Sequence, residues 1–212
     1  MGPATSKRGR RSPRPSGDDR EGAILATAER LLGERSMRDI SIDDLARGAG
    51  ISRPTFYFYF PSKDAVLLAL LDGVVQEADA ALAAVSADIL AADPSRYWRD
   101  CIATFHRTFG AHAAVTLACA EVRLTNTEVL ELWSRVMDSW NQAVAAAIEG
   151  ERVRGAAPPG LPARDLAIAL NSMNERVLYS SFAHDVPTVA AEDVVDVLHT
   201  VWLNAIYQTT DP

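Results

Sequence analysis

The stretch "ISRPTFYFYFPSKDAV", residues 51–66, contains five consecutive aromatic side chains between two prolines. Phe and Tyr alternate from Phe56 to Phe60, which is the two-residue period of a β-strand with one apolar and one polar face. A lone strand of this length would leave its backbone groups unpaired, because no second alternating β-branched run occurs in the chain. The rest of the sequence therefore argues against a strand.

The same stretch carries the signals of a short helix followed by a turn. Ser52 and Ser62 are both N-cap candidates, and Pro54 lies in the first turn, where a missing N–H is harmless. On a helix, Phe56 and Phe60 lie at positions i and i+4, so they form one inward stripe. We therefore predict a helix whose other side chains point outward.

A second short helix is predicted immediately upstream. Ser41 is its N-cap candidate, and Asp44 is the capping-box partner three residues later. The glycine-containing turn "RGAGIS", residues 47–52, joins this helix to the aromatic one. Residues of about 42–60 therefore form a predicted helix-turn-helix unit.

The outward face of the aromatic helix is suited to a DNA groove. Arg53 can bind guanine edges bidentately, and Thr55 can bond a phosphate or touch a thymine methyl group. Tyr57 and Tyr59 offer hydroxyls that reach phosphates, and Lys63 adds a cation at the N-terminus of the next helix. Spacing alone leaves open a buried aromatic cluster in a small helical domain, because helix-turn-helix shapes also occur outside DNA binding.

Helical spacing of apolar residues continues through most of the chain. It predicts a first helix from Arg20 to Leu32 and a long one from Lys63 to about Ile89. Further helices are predicted at about 95–109, 113–123, 127–149, 162–182 and 191–208. We therefore predict an all-α fold with an N-terminal three-helix helix-turn-helix domain (residues 18–75) and a larger C-terminal helical domain for effector binding and dimerisation (residues 76–212).

Charge is distributed unevenly along the chain. The formal net charge of −7 argues by itself against a nucleic-acid partner. Residues 1–17, however, carry five basic and no acidic side chains, whereas the remaining 16 basic and 28 acidic residues give −12. This basic arm is too polar to fold alone. It is either a solvated, disordered tail or a phosphate or minor-groove contact, and composition leaves both open.

At this point a family resemblance becomes specific. "ISRPTFYFYFPSKDAVL" resembles the recognition helix and following turn of TetR-family transcriptional repressors, and "AILATAERLLGERSMRDISIDDLARGAG" resembles their first two helices. The match covers about residues 18–75. Phe58 departs from it, because many members carry a polar or basic residue there. The resemblance implies that Phe56 and Phe60 are core, and that the DNA-facing residues are Arg53, Pro54, Thr55, Tyr57, Phe58, Tyr59 and Lys63. We predict that Ser52, at the start of the same helix, contacts DNA with them.

The C-terminal two thirds of the chain contain aromatic stripes. One helix face carries Trp98, Ile102, Phe105 and Phe109, and a second carries Trp133, Met137 and Trp140. Core packing is the usual interpretation of a single stripe. A third helix adds Asn171 and Asn174, and asparagines beside a core-facing stripe need buried hydrogen-bond partners.

Aromatic walls with a few placed amides are typical of pockets for mostly apolar small molecules. Hydrogen bonding between helices is the alternative explanation for the two asparagines. TetR-family effector domains hold ligands in such a tunnel, so the resemblance favours a pocket in which the two amides orient a carbonyl, ester or amide. The predicted lining is Trp98, Ile102, Phe105, Phe109, Trp133, Met137, Trp140, Asn171, Asn174, Tyr179 and Trp202.

The last two predicted helices, at about 162–182 and 191–208, carry more apolar surface than one face can bury. Pairing with the same helices of a second copy would form an isologous four-helix interface, and TetR-like proteins dimerise in this way. A two-fold homodimer in turn predicts a palindromic operator in double-stranded DNA.

Other classes of protein are disfavoured by what the sequence lacks. It has no run of about 18 apolar residues and no apolar signal region, so we expect no membrane contact. Cys101 and Cys119 are predicted to be reduced thiols, which is typical of a cytoplasmic protein. We therefore expect a cytoplasmic bacterial protein that associates with the nucleoid when it is bound to an operator. No metal-ligand spacing, catalytic constellation or phosphate loop is present, so we expect no metal, no cofactor and no enzymatic activity. The predicted function is a ligand-responsive repressor, with an effector-independent nucleoid or architectural DNA-binding protein as the alternative.

Overall fold

The computed structural model describes residues 17–85 and 87–209, and within them the chain is helical without any β-strand. The all-α prediction is therefore confirmed. The predicted basic arm lies outside the described residues except for Gly17, which begins the first helix. The helices are α1 (Gly17–Leu32), α2 (Ile42–Gly48), α3 (Arg53–Phe56), α4 (Lys63–Ala83), α5 (Ala87–Ala92), α6 (Pro94–Ala111), α7 (Ala113–Val122), α8 (Thr127–Val153), α9 (Ala163–Phe182) and α10 (Val194–Tyr207).

The aromatic run forms a shorter α-helix than predicted. After α3, tight turns carry the chain to Phe60, and the N–H groups of Tyr59 and Phe60 both donate to the carbonyl of Phe56, at 2.9 and 3.0 Å. Pro61 disfavours the helical conformation at the residue before it, so the helix cannot extend further. Phe56 and Phe60 are both buried, which confirms the inward stripe.

All three predicted serine N-caps are present. Ser41 accepts from the backbone N–H of Asp44, and the Asp44 carboxylate accepts from the N–H of Ser41, which completes a capping box. Ser52 and Ser62 each accept a hydrogen bond from the backbone N–H three residues further on. Each cap satisfies a donor that the helix itself leaves without a partner, and together they set where α2, α3 and α4 begin.

Two glycines shape the turn between α2 and α3. A Cβ at Gly48 would lie 2.3 Å from Cγ2 of Thr27 in α1, so only glycine allows this approach of the two helices. The hydroxyl of Thr27 is itself held by the carbonyl of Ala23 at 2.7 Å. Gly50 has a φ of 67°, in the left-handed region that glycine adopts without strain. Gly48 is therefore required for the packing of α2 on α1, and Gly50 suits the turn that follows.

The long helix predicted from Lys63 to about Ile89 is divided in two. α4 ends at Ala83, and the N–H of Val85 donates to the carbonyl of Leu82 in a turn at 2.9 Å. A β-branched valine followed by a serine lowers helix propensity at this point of the sequence. The predicted domain division at residue 75 falls inside α4.

The buried apolar residues form two cores. The first begins with Ile24, Leu45 and Phe56 in α1–α3 and continues through α4 to Phe109 and Val129 in the C-terminal half. The second is built mainly by α6, α9 and α10 and contains Trp98, Ile102, Leu170, Leu198 and Trp202. The helix-turn-helix unit thus shares its core with the helices behind it.

A chain of buried hydrogen bonds fastens α6, α8 and α10 together. Trp98 Nε1 donates to the hydroxyl of Tyr207 at 2.9 Å, and that hydroxyl donates to Glu151 Oε2 at 2.8 Å. Glu151 is only 2% exposed, and Arg154 donates to both of its oxygens. The buried carboxylate is therefore fully paired, as a charge in the interior must be.

Both cysteines are free thiols. Burial raises the pKa of Cys101 to about 11 and that of Cys119 to about 12, so neither is a ready thiolate near neutral pH. Within the described residues, no helix combines the length and apolarity needed to cross a bilayer.

Candidate DNA interface and candidate ligand pocket

The helix-turn-helix presents an exposed face next to its buried phenylalanines. Phe58 is 92% exposed and Tyr57 is 46% exposed, although large aromatic side chains usually avoid water. Ser52, Arg53 and Pro54 are also exposed. This face has no covering element within the described chain, which fits the prediction that the tyrosine-bearing side of α3 is a contact surface.

Arg53 is held in place on this face by two neighbours. Its guanidinium donates to Asp43 Oδ2 at 3.0 Å and to the hydroxyl of Tyr57 at 3.4 Å, and it lies 6.0 Å from the centre of the Tyr57 ring. The hydrogen bond to Tyr57, aided by the charge of Asp43, raises the pKa of Arg53. The side chain is thus a permanently charged donor in a defined position.

Two predicted contacts are less accessible than expected. Thr55 is half-buried, and its hydroxyl lies 2.7 Å from that of Ser52, so the N-cap uses part of its hydrogen-bonding capacity. Tyr59 is half-buried and packs against the first core. Both lie at the edge of the exposed face and not at its centre.

Lys63, a predicted phosphate contact, makes hydrogen bonds within the protein. Its ammonium group donates to the backbone carbonyls of Met37, Arg38 and Ile40, at 2.7, 3.3 and 3.0 Å. An ammonium has three donors, so this geometry leaves none for a phosphate. In this structure Lys63 fastens the short 3₁₀ turn Met37–Asp39 to the start of α4, and its phosphate contact stays a prediction.

A second candidate site is an apolar pocket enclosed by α4, α6, α7, α8 and α9. Four aromatic rings form much of its wall, in mainly edge-to-face contacts. Phe105 and Trp140 have ring centres 4.7 Å apart, and Trp133 lies 6.1 Å from both Phe109 and Trp140. The space left between the walls is about 70 Å³, less than a drug-sized ligand needs. A ligand of that size could enter only if side chains moved apart.

Most of the predicted lining residues meet at this pocket. They are Phe105, Phe109, Trp133, Met137, Trp140, Asn171, Asn174 and Tyr179. The structure adds walls that the aromatic stripes did not indicate, and most of them are small or aliphatic side chains, which carry no distinctive spacing. These are Leu71, Thr116, Cys119, Ala120, Val129, Leu178 and Phe182, together with the ion pair of Arg123 and Glu175.

Three predicted lining residues lie elsewhere. Trp98, Ile102 and Trp202 belong to the second core, and the rings of Trp98 and Trp202 pack with centres 5.2 Å apart. The stripe on α6 runs for about 16 Å from Trp98 to Phe109, at 1.5 Å per residue. Its first half packs against α10, and only its second half reaches the pocket. Periodicity identified the buried face of α6 but not the element against which each part is buried.

The two asparagines have both of the roles considered for them. Asn171 Nδ2 donates to Asn141 Oδ1 of α8 at 2.8 Å, and Asn174 Oδ1 accepts from Trp202 Nε1 of α10 at 2.9 Å. These bonds join α9 to α8 and α10, as expected from the alternative explanation that the asparagines form hydrogen bonds between helices. Both residues also line the pocket, and the Nδ2 group of Asn174 makes no hydrogen bond within the described chain.

The pocket contains a second unused donor. Trp133 Nε1 is buried and has no hydrogen-bond partner within the described residues. Arg123 lies over the Trp133 ring at 5.8 Å and donates to Glu175 Oε1 at 2.5 Å. The pocket is therefore apolar with a few polar atoms, and its free polar atoms include donors suited to a hydrogen-bond acceptor on a ligand.

An exposed helix-turn-helix face and a helical domain with an apolar pocket together define a transcriptional regulator of bacterial type. Comparison with known families agrees: residues 24–70 match the domain described as "Bacterial regulatory proteins, tetR family", and residues 98–208 match "Transcriptional regulator EthR, C-terminal domain". The chain belongs to the TetR family of DNA-binding transcriptional regulators, which confirms the resemblance found in the sequence.

The chain is also similar to individual regulators over nearly its whole length. The chain is 57% identical over 204 residues to the HTH-type transcriptional regulator EthR of Mycobacterium tuberculosis (strain ATCC 25618 / H37Rv), covering 96% of this chain and 94% of that protein. It is 53% identical over 202 residues to EthR of Mycolicibacterium smegmatis, covering 95% and 93%. The structure of the fatty acid degradation regulator FadR from Bacillus halodurans aligns with a TM-score of 0.71 at 17% identity, over 90% of this chain and 97% of that one, which shows a shared fold.

The position of Lys63 leads to a prediction about stability. Replacing Lys63 with alanine should lower the free energy of unfolding by about 1–3 kcal/mol, because two partly buried carbonyls, those of Met37 and Ile40, lose a charged donor. Chemical denaturation without DNA, followed by tryptophan fluorescence, would measure this loss. Arg38→Ala is the matched control, because its mostly exposed side chain forms a surface ion pair worth less than about 1 kcal/mol. Equal losses in the two variants would contradict the structural role of Lys63.

Proposed function

We propose that this protein is a ligand-responsive repressor that binds a palindromic operator as a homodimer and is released by a mostly apolar small molecule. The observation that carries the proposal is a shared core. Leu71 of α4 lines the pocket, and it belongs to the same buried cluster as Phe56 under the DNA-reading face. A movement of the pocket wall could therefore be transmitted to that face through side chains that pack against one another.

On DNA, α3 would enter the major groove with Arg53, Tyr57 and Phe58 outermost. Arg53 would leave Asp43 to bind a guanine edge, which costs little because both partners of this ion pair are half exposed. Phe58 would place an aromatic ring against base methyl groups or the sugar backbone. Ser52, Pro54, Thr55 and Tyr59 would complete the contact at its edges.

The pocket would take a compound with an aromatic or aliphatic body and a hydrogen-bond acceptor. The body would pack among the four aromatic rings, and the acceptor would meet Asn174 Nδ2 or Trp133 Nε1, which are otherwise unused. Entry requires the rings to separate, because the closed pocket is small. A ligand that binds only the opened form shifts the protein toward that form by its differential affinity.

The proposed homodimer uses the outer faces of α9 and α10. Ile168, Val197 and Val201 are 39, 41 and 40% exposed there, although they are apolar residues on helices that pack in the second core. Two copies related by a two-fold axis would cover these faces with each other. The helix-turn-helix units of the two copies would then face successive major grooves of a symmetric site.

One observation favours the alternative function, an effector-independent architectural DNA-binding protein. The small free volume of the pocket resembles that of a filled bundle. The two functions differ in their response to apolar compounds, so ligand titration separates them. In either case the protein would act in the bacterial cytoplasm, where the DNA is.

Arg53 tests the proposed DNA face. Arg53→Ala should weaken binding to an operator selected from a random duplex library by roughly 5- to 150-fold, the discrimination of one bidentate base contact. Fluorescence anisotropy at fixed salt would measure the dissociation constant. Arg96→Ala removes a similarly exposed arginine from α6 and should change it less than twofold. Equal binding by Arg53→Ala and the wild-type protein would show that this face does not read bases.

Asn174 tests the pocket. Asn174→Ala should reduce the thermal stabilisation given by an aryl-alkyl amide such as N-hexylbenzamide, because the carbonyl of the amide loses one of its two candidate donors. Trp202→Phe is the matched control, since it breaks the same Trp202–Asn174 bond from the other side but leaves the pocket wall intact. Differential scanning fluorimetry with and without the compound gives both values. A response lost equally in the two variants would point to the helix–helix bond alone.

Val201 tests the dimer. Val201→Glu should convert the protein to a monomer in multi-angle light scattering, because a charge on each copy would be buried against the other. Operator affinity should fall with it. The same substitution at Val153, which is 87% exposed at the end of α8, should leave the mass unchanged. A dimer that survives Val201→Glu would place the interface elsewhere.

A further inference from the structure

We propose that His112 is a positioning residue that couples the pocket to the DNA-reading head, by bridging a carboxylate of α1 and a carboxylate of α4 from the corner between α6 and α7. The inference rests on the proposed function and adds to it a proton-dependent step. It predicts that the effect of a ligand on operator binding depends on pH.

The geometry at His112 joins three parts of the fold. Its Nδ1 lies 2.5 Å from Glu29 Oε1 in α1, and its Nε2 lies 3.2 Å from Glu77 Oε2 in α4. His112 itself ends α6 and precedes α7. Glu29 belongs to the helix-turn-helix domain, whereas His112 belongs to the effector domain, so the bridge crosses the boundary between them.

This arrangement requires a charged imidazole. An ionised carboxylate only accepts hydrogen bonds, and a neutral imidazole has one donor and one acceptor nitrogen. A neutral His112 would therefore direct a lone pair at one of its two carboxylate partners. Only the imidazolium can donate to Glu29 and Glu77 at the same time.

The electrostatic balance supports this protonation state. Partial burial lowers the pKa of His112, but the hydrogen bonds and charges of Glu29 and Glu77 outweigh it, so the pKa lies above the ordinary value for histidine. The two carboxylates, one on each of the helices packed around the corner, are the charged groups that act on the ring. The imidazolium is therefore fully present below a pH of about 6.5, and while the carboxylates are ionised the bridge is lost only as pH rises through the raised pKa of His112.

The same corner forms part of the pocket wall. The hydroxyl of Thr116 bonds the carbonyl of His112 at 3.1 Å and the carbonyl of Phe109 at 3.2 Å. Thr116 and Phe109 both line the pocket. A ligand that displaces either residue moves the backbone that carries His112, and the imidazolium transmits that movement to Glu29 in α1.

The bridge is weak enough to act as a switch. His112, Glu29 and Glu77 are all partly exposed, which places each ion pair in the range of ordinary surface pairs. The pair of Arg38 and Glu121 also joins the two domains, so the fold does not depend on His112 alone. Loss of the proton should loosen the coupling without unfolding the protein.

The test measures the operator dissociation constant with and without saturating N-hexylbenzamide, at pH 6.0 and at pH 8.5. The ratio of the value with the compound to the value without it is the coupling factor. In the wild-type protein the factor should be about three- to fivefold larger at pH 6.0, the worth of one or two partly exposed ion pairs. His112→Asn should lower the factor at pH 6.0 and remove its pH dependence. Glu29→Gln should do the same, and it serves as the second variant if His112→Asn folds poorly.

Matched controls separate this role from general changes in charge. His184→Asn removes another histidine, and asparagine tolerates its positive φ of 53°. Glu34→Gln removes a carboxylate just beyond α1 that pairs with Arg30 instead of the effector domain. Both controls should retain the wild-type factor at each pH. In the wild-type protein, NMR titration of the His112 ring should give a pKa above 6.5, and Glu29→Gln should lower it.

The outcomes distinguish the inference from the proposed function. A wild-type factor that differs from one, but is unchanged in His112→Asn and Glu29→Gln at both pH values, would overturn the inference and leave the proposed function standing. A wild-type factor of one at both pH values would overturn the ligand response itself. A ring pKa unaffected by Glu29→Gln would show that the bridge does not form in solution.

Discussion

The regulator depends above all on the burial of one helix, α4, in two places at once. Its first turns, with Val66 and Leu67, close the core beneath Phe56, and one turn further Leu71 is a wall of the pocket. A helix rises only 1.5 Å per residue and is stiff over this distance, and close-packed interiors do not deform gradually. In the proposed mechanism, displacement of Leu71 would therefore move α4 as a whole and with it the helix-turn-helix unit.

Polar side chains inside the bundle serve the fold and the pocket together. The side-chain oxygen of Asn174 accepts a hydrogen bond from Trp202, and its amide N–H groups face the pocket. The side-chain nitrogen of Asn171 donates to Asn141. Because an unpaired buried polar group costs about 1–3 kcal/mol, such bonds also fix how α8, α9 and α10 lie against one another. A polar site can stay in an apolar bundle because half of each amide is already satisfied.

Local signals in the sequence predicted local structure well. The serine caps, the glycine turn and the inward pair of Phe56 and Phe60 follow from residues at most five positions apart, so their effect could be read directly. Contacts between distant residues could not. Lys63 bonds carbonyls 23 to 26 residues away, and His112 meets Glu29 across 83 residues. Helical periodicity likewise shows that Trp98 is buried, but the same pattern fits a core and a pocket wall.

In the proposed mechanism, the small volume of the pocket would make ligand selectivity and ligand response depend on the same contacts. Its aromatic rings hold one another edge to face, and each such pair is worth about 0.5–1.5 kcal/mol beyond the area it buries. Without a ligand these contacts favour the closed state. A compound keeps the pocket open only if its own surface replaces the lost ring contacts, which a strongly hydrated molecule cannot do. Phe109 is one of these rings, and the Thr116 hydroxyl bonds both its carbonyl and the carbonyl of His112. Under the proposal, opening the pocket would therefore disturb the bridge from His112 to α1 in the same step.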